Sequence, residues 1–426
     1  MKTLYKIHKI SGLISAVIFI ILCITGFVLL FRGEIAEINS VSDENIIVTE
    51  QVEMPVWEYA DEGVKEIRDK YPDSIVESIR AYPEDNSLGI RFSSNGKNHR
   101  SYYDVSGKCL ISSSEKPKSK FVADAMRTIH RLHMNLTMGG LGRNLLYFFC
   151  VMSLVTIVTG YVVNTSFSKV SPVGYIRQIN YRRKISDWHR FISAMAGPWA
   201  LILTLSALLI LVYSDITREY TTQAYESGTV VEGASGFKTV SITDVVKKLR
   251  QEYPDKKLVS LSMPSEDEGF YAAQLADYRE NKSLYTAYEY AFVSPNNVDD
   301  MVYVPGENFR KYLAEALNVH IHNHPLLILK VLWAIMALLS VAMAITGLWV
   351  YCTRWQKGKN AVIVPVNTSA MPQYRILMII AVLSLLGIVL PIISEKLNYF
   401  AAGSLAVVFI FAAYVYCILN ISSKTS

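Results

Sequence analysis

The sequence predicts a polytopic α-helical membrane protein of about six transmembrane helices, internally duplicated and carrying two α+β water-facing domains. Three observations predict it. Of 426 residues, 51% are hydrophobic and only 19% charged, too apolar a balance for a soluble chain of this size. Six long stretches carry no charge at all. Histidines and Thr-Gly pairs recur at matching distances in two parts of the chain.

The first stretch, between Lys9 and Arg32, holds 22 uncharged residues. Comparable stretches lie between Arg143 and Lys169, Arg190 and Asp215, Lys330 and Arg354, Arg375 and Glu395, and Lys396 and Lys424. Each is long enough to cross the hydrocarbon core as a helix. Lys2, Lys6 and Lys9 precede the first, but its apolar core is too long for a cleaved signal and no small-residue cleavage site follows, so it reads as a retained anchor.

Basic residues set the orientation. They crowd the leader, the loop holding Arg177, Arg182, Arg183 and Lys184, and the loop holding Arg354, Lys357, Lys359 and Arg375, which places all three in the cytoplasm with both termini. The expected order is a leader and first span over 1–32, a first outward domain over 33–142, and a second span over 143–168. A cytoplasmic loop over 169–190, a third span over 191–214 and a second outward domain over 215–329 come next. A fourth span over 330–353, a loop over 354–375 and a hairpin of two spans over 376–423 complete it. The outward domains are expected in a periplasm if the cell is Gram-negative, which would make the expected setting a bacterial inner membrane. The net charge of +5 is accounted for by the anchoring loops and gives no reason to invoke nucleic acid. Of five cysteines only Cys109 falls in an outward domain, so no disulfide framework is expected.

Self-similarity runs through spans and domains alike. His8 precedes Thr25-Gly26 as His189 precedes Ser206-Ala207, and His133 precedes Arg143 and Thr159-Gly160 as His320 precedes Lys330 and Thr346-Gly347. The octets Glu66–Asp73 and Lys248–Asp255 both end a helical pattern at Tyr-Pro-Asp. Strand-like segments follow each: Ser78–Ala81 and Leu88–Phe92, then Leu258–Ser262 and Phe270–Leu275. Both copies run the same way through the bilayer, which suggests a pseudo-two-fold axis along its normal.

Of the eight histidines only His99 lies far from a span end; it reads as a surface residue. The repeat relates His8 to His189 and His133 to His320, and such an axis would bring each pair face to face. Ionisable groups in a membrane are costly, so a functional role is the first reading. Two neutral imidazoles from facing helices make a closed site for haem iron suited to electron transfer. Taken singly, His8 and His189 read equally as interfacial side chains among basic neighbours. At the outward end His130 competes with His133, and His322 and His324 compete with His320 or form a metal-binding tract with it. The small residues Gly12, Ser15, Thr25, Gly26, Thr159, Gly160, Thr346 and Gly347 leave room for a flat macrocycle or serve helix packing. Arg143 and Lys330, about 15 Å of helix beyond their histidines, either meet haem propionates or mark the headgroup boundary.

His8 with Thr25-Gly26, His133 with Gly142-Arg143 and Thr159-Gly160, His189-Arg190, and His320 with Thr346-Gly347 together resemble the PepSY-associated transmembrane family over about Met1 to Thr353. That family includes iron-regulated inner-membrane proteins and haem-containing ferric-siderophore reductases. The resemblance implies PepSY-like outward domains and two b-type haems, one on His8 and His189 at the cytoplasmic side and one on His133 and His320 at the outward side. The fourth-span motif departs from the second, with Lys330 for Gly142-Arg143 and Pro325-Leu326-Leu327 for Met138-Gly139-Gly140.

The expectation is a haem-dependent reductase in the lipid bilayer that passes electrons outward to a ferric chelate or siderophore. The sequence contains no Gly-x-Gly-x-x-Gly after a strand, so the donor is expected to be a quinol or a separate reductase. Two other readings compete: outward domains that bind a peptide or envelope partner on a passive anchor, and a chelate transporter. The latter calls for broken spans, whereas the only span prolines are Pro198 and Pro391. Tyr102, Tyr103, Tyr285, Tyr288 and Tyr290 read as sheet residues before they read as a chelate surface.

Overall fold

A computed structural model describes residues 2–39, 56–82, 86–111, 119–167, 171–231, 240–265, 269–277, 287–321, 326–353 and 373–421. In chain order the elements are α1 (Lys2–Leu30), α2 (Arg32–Asn39), α3 (Ala60–Lys70), β1 (Ile75–Tyr82), β2 (Ser87–Ser94), β3 (Lys97–Asp104), β4 (Cys109–Ile111), α4 (Lys120–Asn135), α5 (Gly139–Phe167) and α6 (Tyr181–Gly228). Then come α7 (Ile242–Glu252), β5 (Lys256–Ser262), β6 (Tyr271–Asp277), β7 (Glu289–Val293), β8 (Met301–Val304), α8 (Asn308–His320), α9 (Leu327–Cys352), α10 (Gln373–Ile393) and α11 (Asn398–Ile421).

Two compact units result, one of Met1–Ile38, Phe121–Val212 and Glu315–Ser426, the other of Asn39–Lys120 and Tyr213–Ala314. In this division α4 and the last residues of α8 group with the spans.

Among the described residues six helices are long and apolar enough to cross a membrane, α1, α5, α6, α9, α10 and α11, and their apolar stretches lie in the first unit. They leave large apolar side chains uncovered, among them Ile10, Val17, Phe148, Val158, Met378 and Ile410, as lipid-facing helices do. Helix α1 packs on α5 and α9, and the α10–α11 hairpin packs on α9. The third span is the largest departure from expectation: α6 runs 48 residues, starting at Tyr181, well before 191, and continuing past the charges at Asp215, Arg218 and Glu219.

Both span prolines are accommodated the same way. Proline has no N–H to give the carbonyl four residues back, and a neighbouring side chain supplies the missing donor. Tyr161 donates its hydroxyl to Ala194 O at 3.0 Å, four residues before Pro198. Trp333 donates its indole N–H to Gly387 O at 3.4 Å, four residues before Pro391. The helices thus stay continuous across residues that would otherwise break them.

In the second unit the strands form one antiparallel sheet in the order β4-β3-β2-β1-β5-β6-β7-β8. The two outward segments were expected as separate domains; they join here through β1 and β5. Ile79 and Leu261 are opposite one another at that seam, and each follows its Tyr-Pro-Asp tyrosine, Tyr71 or Tyr253, by eight positions. Ser78 faces Ser262 and Arg80 faces Ser260, so the register is two-fold about the Ile79–Leu261 pair. The pairing slips between Val76 and Ser78 in one half and between Leu258 and Ser260 in the other, again at matching positions. Helices α3 and α7 cover one face with Val64, Ile67, Val245 and Leu249 against Ile79, Ile90, Phe92, Leu261 and Leu275. Asp61 of α3 accepts from the N–H groups of Ile242 and Thr243, so one half caps the helix of the other. His99 stacks on Phe92 and Tyr71, and it is exposed as expected.

Among the described residues a buried charge cluster centres on Glu289 in the second half. Glu289, 2% exposed, accepts from Lys311 at 2.7 Å, Lys256 at 2.9 Å and the Tyr303 hydroxyl at 2.5 Å. Burial pushes its carboxyl up, but those three donors outweigh burial and hold it below its ordinary 4.5. A carboxyl depressed in the folded state contributes stability that is whole above its ordinary value and is lost as pH falls through the depressed one. Thermal melts of the whole chain are expected to show a Tm that holds down to about pH 5 and falls below about pH 4. Glu289→Ala, which leaves Asp277 as the counter-charge that Lys256 and Lys311 still share, is expected to cost about 1–3 kcal/mol at pH 7 and to lessen that acid slope.

Candidate functional site

The sequence-predicted histidines meet in two pairs inside the first unit. His8 of α1 and His189 of α6 have ring centroids 6.4 Å apart. His133 of α4 and His320 of α8 have theirs 6.0 Å apart.

Each ring is held through its Nδ1 atom by a neighbouring helix. His8 Nδ1 lies 2.9 Å from Thr156 O, His189 Nδ1 3.0 Å from Met343 O, and His320 Nδ1 3.2 Å from Leu203 O. A carbonyl can only accept, so in these three rings Nδ1 carries the proton. His133 Nδ1 lies 2.9 Å from Thr25 Oγ1, whose own hydrogen goes to Ile21 O at 2.8 Å, so His133 too donates through Nδ1. In a neutral ring so held, the lone pair resides on Nε2. That is the tautomer in which the outer partner fixes an imidazole for metal ligation.

The spacing also suits a shared ion. Two imidazoles bound at about 2 Å to one metal, with a ring radius of about 1.2 Å, place their centroids about 6.4 Å apart. Both pairs fall within half an ångström of that figure. Direct stacking of the two rings is ruled out by interplanar angles of 45° and 40°.

The Thr-Gly pairs do something more specific than leaving room for a macrocycle. A Cβ on Gly160 would stand 2.8 Å from His8 Cε1, one on Gly347 3.1 Å from His189 Cε1, and one on Gly26 3.2 Å from His133 Cε1. Each glycine is thus the seat of an imidazole, and the threonine or a carbonyl one turn earlier is its anchor. The seats are exchanged: α1 carries His8 and receives His133, while α5 receives His8. In the other half α9 receives His189 while α6 receives His320 at Ser206, 3.1 Å from its Nδ1. Gly160→Ala is expected to move its ring most and Gly26→Ala least, read from the imidazole 15N shifts of His8 and His133. Overpacking of this kind costs about 1–3 kcal/mol.

The remaining candidates divide. The ring facing His320 is that of His133; His130, one turn earlier on α4, is half-buried. His322 and His324 lie outside the described residues. Lys330, 4% exposed, is paired with Glu34, and Arg143 donates to Leu211 O at 3.1 Å. Arg143 does not continue a helix from His133, as a straight 15 Å rise would require. The chain turns between α4 and α5, where Leu136 and Thr137 take φ values of 52° and 61°.

Sequence reading missed the polar framework around His189. Arg177 grips Asp187 through Nε at 2.9 Å and Nη2 at 2.8 Å, and Arg190 adds a 3.8 Å contact to the same carboxylate. Asn420 of α11 accepts from Ile176 N at 3.0 Å and donates to Gly174 O at 2.7 Å, bracing the segment that carries Arg177. The available signal was Asp187 at two residues before His189 and three before Arg190; nothing local pointed to Asn420. A cavity of about 270 Å³ opens beside His8 and His189, lined by Gly12, Ser15, Gly160 and Gly347 among apolar neighbours.

A bundle of apolar helices with paired imidazoles held in its interior defines a polytopic membrane protein with two candidate ligand-binding centres. Residues 5–354 match the family described as the PepSY-associated TM region, and the chain belongs to that family. The match ends before α10, so the α10–α11 hairpin and its Asn420 brace lie outside it. No curated protein matches the chain.

Proposed function

We propose that this chain is a di-haem b protein of the bacterial inner membrane that conducts electrons outward to a periplasmic acceptor, a ferric siderophore or other ferric chelate. The observation that carries the reading is the pair of imidazole pairs at 6.4 and 6.0 Å, all four rings tied through Nδ1. On this reading His8 and His189 hold one haem and His133 and His320 the other. Haem iron with two imidazole ligands supplies one-electron exchange at a six-coordinate centre. The chain's own part is to fix the rings, raise the basicity of Nε2 through the Nδ1 bonds, and keep water from the iron with apolar helix faces.

The two-fold register at Ile79 and Leu261 and the exchanged histidine seats support an internal duplication. We read each half of the eight-stranded sheet with its helix as a PepSY-like module facing the periplasm, with both termini cytoplasmic by the distribution of basic residues. The donor is a quinol or a separate reductase. Reduction loosens a chelate because Fe(II) is the weaker Lewis acid, which gives the activity a place in iron release.

The test is reduction of a ferric chelate by the full chain in proteoliposomes loaded with a quinol, with Fe(II) trapped outside by a chromogenic chelator. Fe(II) formation that disappears in His133→Ala supports the reading. Equal rates in the unaltered chain, in His133→Ala and in empty vesicles contradict it.

A further inference from the structure

The cavity beside His8 and His189 is one-sided in charge. Among the described residues four cations line it, Lys9, Arg177, Arg182 and Arg190, and no carboxylate does. Asp187 serves Arg177 and Arg190, with the bidentate grip going to Arg177. Lys9 and Arg182 are left: Lys9 stands over the ring of Tyr351 at 5.2 Å, and neither has a carboxylate partner among the described residues. Both are half-buried, where an uncompensated charge is costly to hold.

Their placement follows from helix geometry. Arg182 precedes His189 by seven residues on α6, two turns and so the same face, about 10 Å along the axis. Lys9 adjoins His8 on α1, and a helical side chain leans toward its helix N-terminus. Two cations without a carboxylate partner are thus offered at the end of the cavity where α1 and α6 begin, while its other walls are glycine, serine and apolar side chains with Thr156, Asn164 and tyrosines among them.

We propose that Lys9 and Arg182 form a carboxylate clamp, and that the His8–His189 cavity selects a flat apolar ligand bearing two acid groups at one edge. The inference rests on the haem reading above and deepens it. It assigns the ligand's two carboxylates to these two residues, oriented toward the start of α1 and α6, and it leaves Arg177 and Arg190 to shape the loop. Neither Arg143 nor Lys330 has a part in this clamp.

The experiment uses the full chain carrying His133→Ala, prepared without haem, so that the His8–His189 site is the one being filled. It is titrated with haem b and with haem b dimethyl ester, which keeps iron and macrocycle and lacks both charges. Two charge-assisted contacts are expected to favour the acid form by about 100-fold. Arg182→Gln or Lys9→Gln is expected to remove about tenfold of that preference each, and Arg182→Lys to keep most of it. Equal binding of acid and ester by the chain with Lys9 and Arg182 intact overturns the clamp and leaves the haem reading standing. Binding of neither form overturns both.

Discussion

On the di-haem reading proposed above, alanine at His8 or at His189 is expected to leave the chain with one haem in place of two, and alanine at His133 or at His320 is expected to remove the other. The two pairs are carried by different helices, α1 and α6 against α4 and α8, and sit in different seats, so each is lost as a unit while its counterpart keeps its ligands. Loss even of an outer partner of a metal-bound imidazole lowers metal affinity about 10–100-fold, and loss of the ligand itself is expected to exceed that. His130→Ala provides the contrast, because its ring is not the one opposite His320. Haem content per purified chain, compared across the five variants, checks the whole set. A variant series in which His130→Ala loses haem and His133→Ala does not would reassign the ligand.

Gly142→Ala is expected to be the most damaging glycine substitution in the described chain. A Cβ there would stand 1.8 Å from the carbonyl oxygen of Asn135 and 2.7 Å from its carbon, and backbone atoms have no rotamer with which to retreat. Asn135 ends α4, two residues after His133, and the turn beyond it already holds Leu136, Thr137 and Gly139 at positive φ. The added methyl group therefore pushes α4 away from α5 and withdraws the His133 ring from its seat on Thr25 and Gly26. On the di-haem reading the expected result is loss of the haem at His133 and His320, together with about 1–3 kcal/mol of stability. Gly140→Ala, two residues earlier with nothing within 4 Å of its Cβ, is expected to keep both haems. Absorption spectra and melts of the two variants side by side distinguish a specific loss from general misfolding.

The features that could be read from the chain are those set by composition and short-range pattern. Six apolar stretches and the helix-then-strand segments after Tyr71 and Tyr253 rest on local signals, and the histidine pairing rests on an internal repeat of short spacings. The length of α6 was hidden because Asp215, Arg218 and Glu219 mark where a span leaves hydrocarbon, and a helix need not end there. The join of both outward segments through β1 and β5 was hidden because residues far apart in sequence pair there, and strand patterns do not name their partners. The Thr-Gly pairs were visible as small residues, but their role as seats depends on which helix faces which. Asn420 is an amide near the end of an apolar helix, and its bonds to Gly174 and Ile176 give it a purpose that no local pattern shows.

Counting haem against protein tests the account most directly. The full-length chain, made with ample haem and purified in detergent, is assayed as the pyridine haemochrome and examined by low-temperature EPR in its oxidised form. Two b-type haems per chain, both low-spin with two imidazole ligands, are the predicted result. A colourless protein, or iron in a high-spin state with an open coordination position, would contradict it.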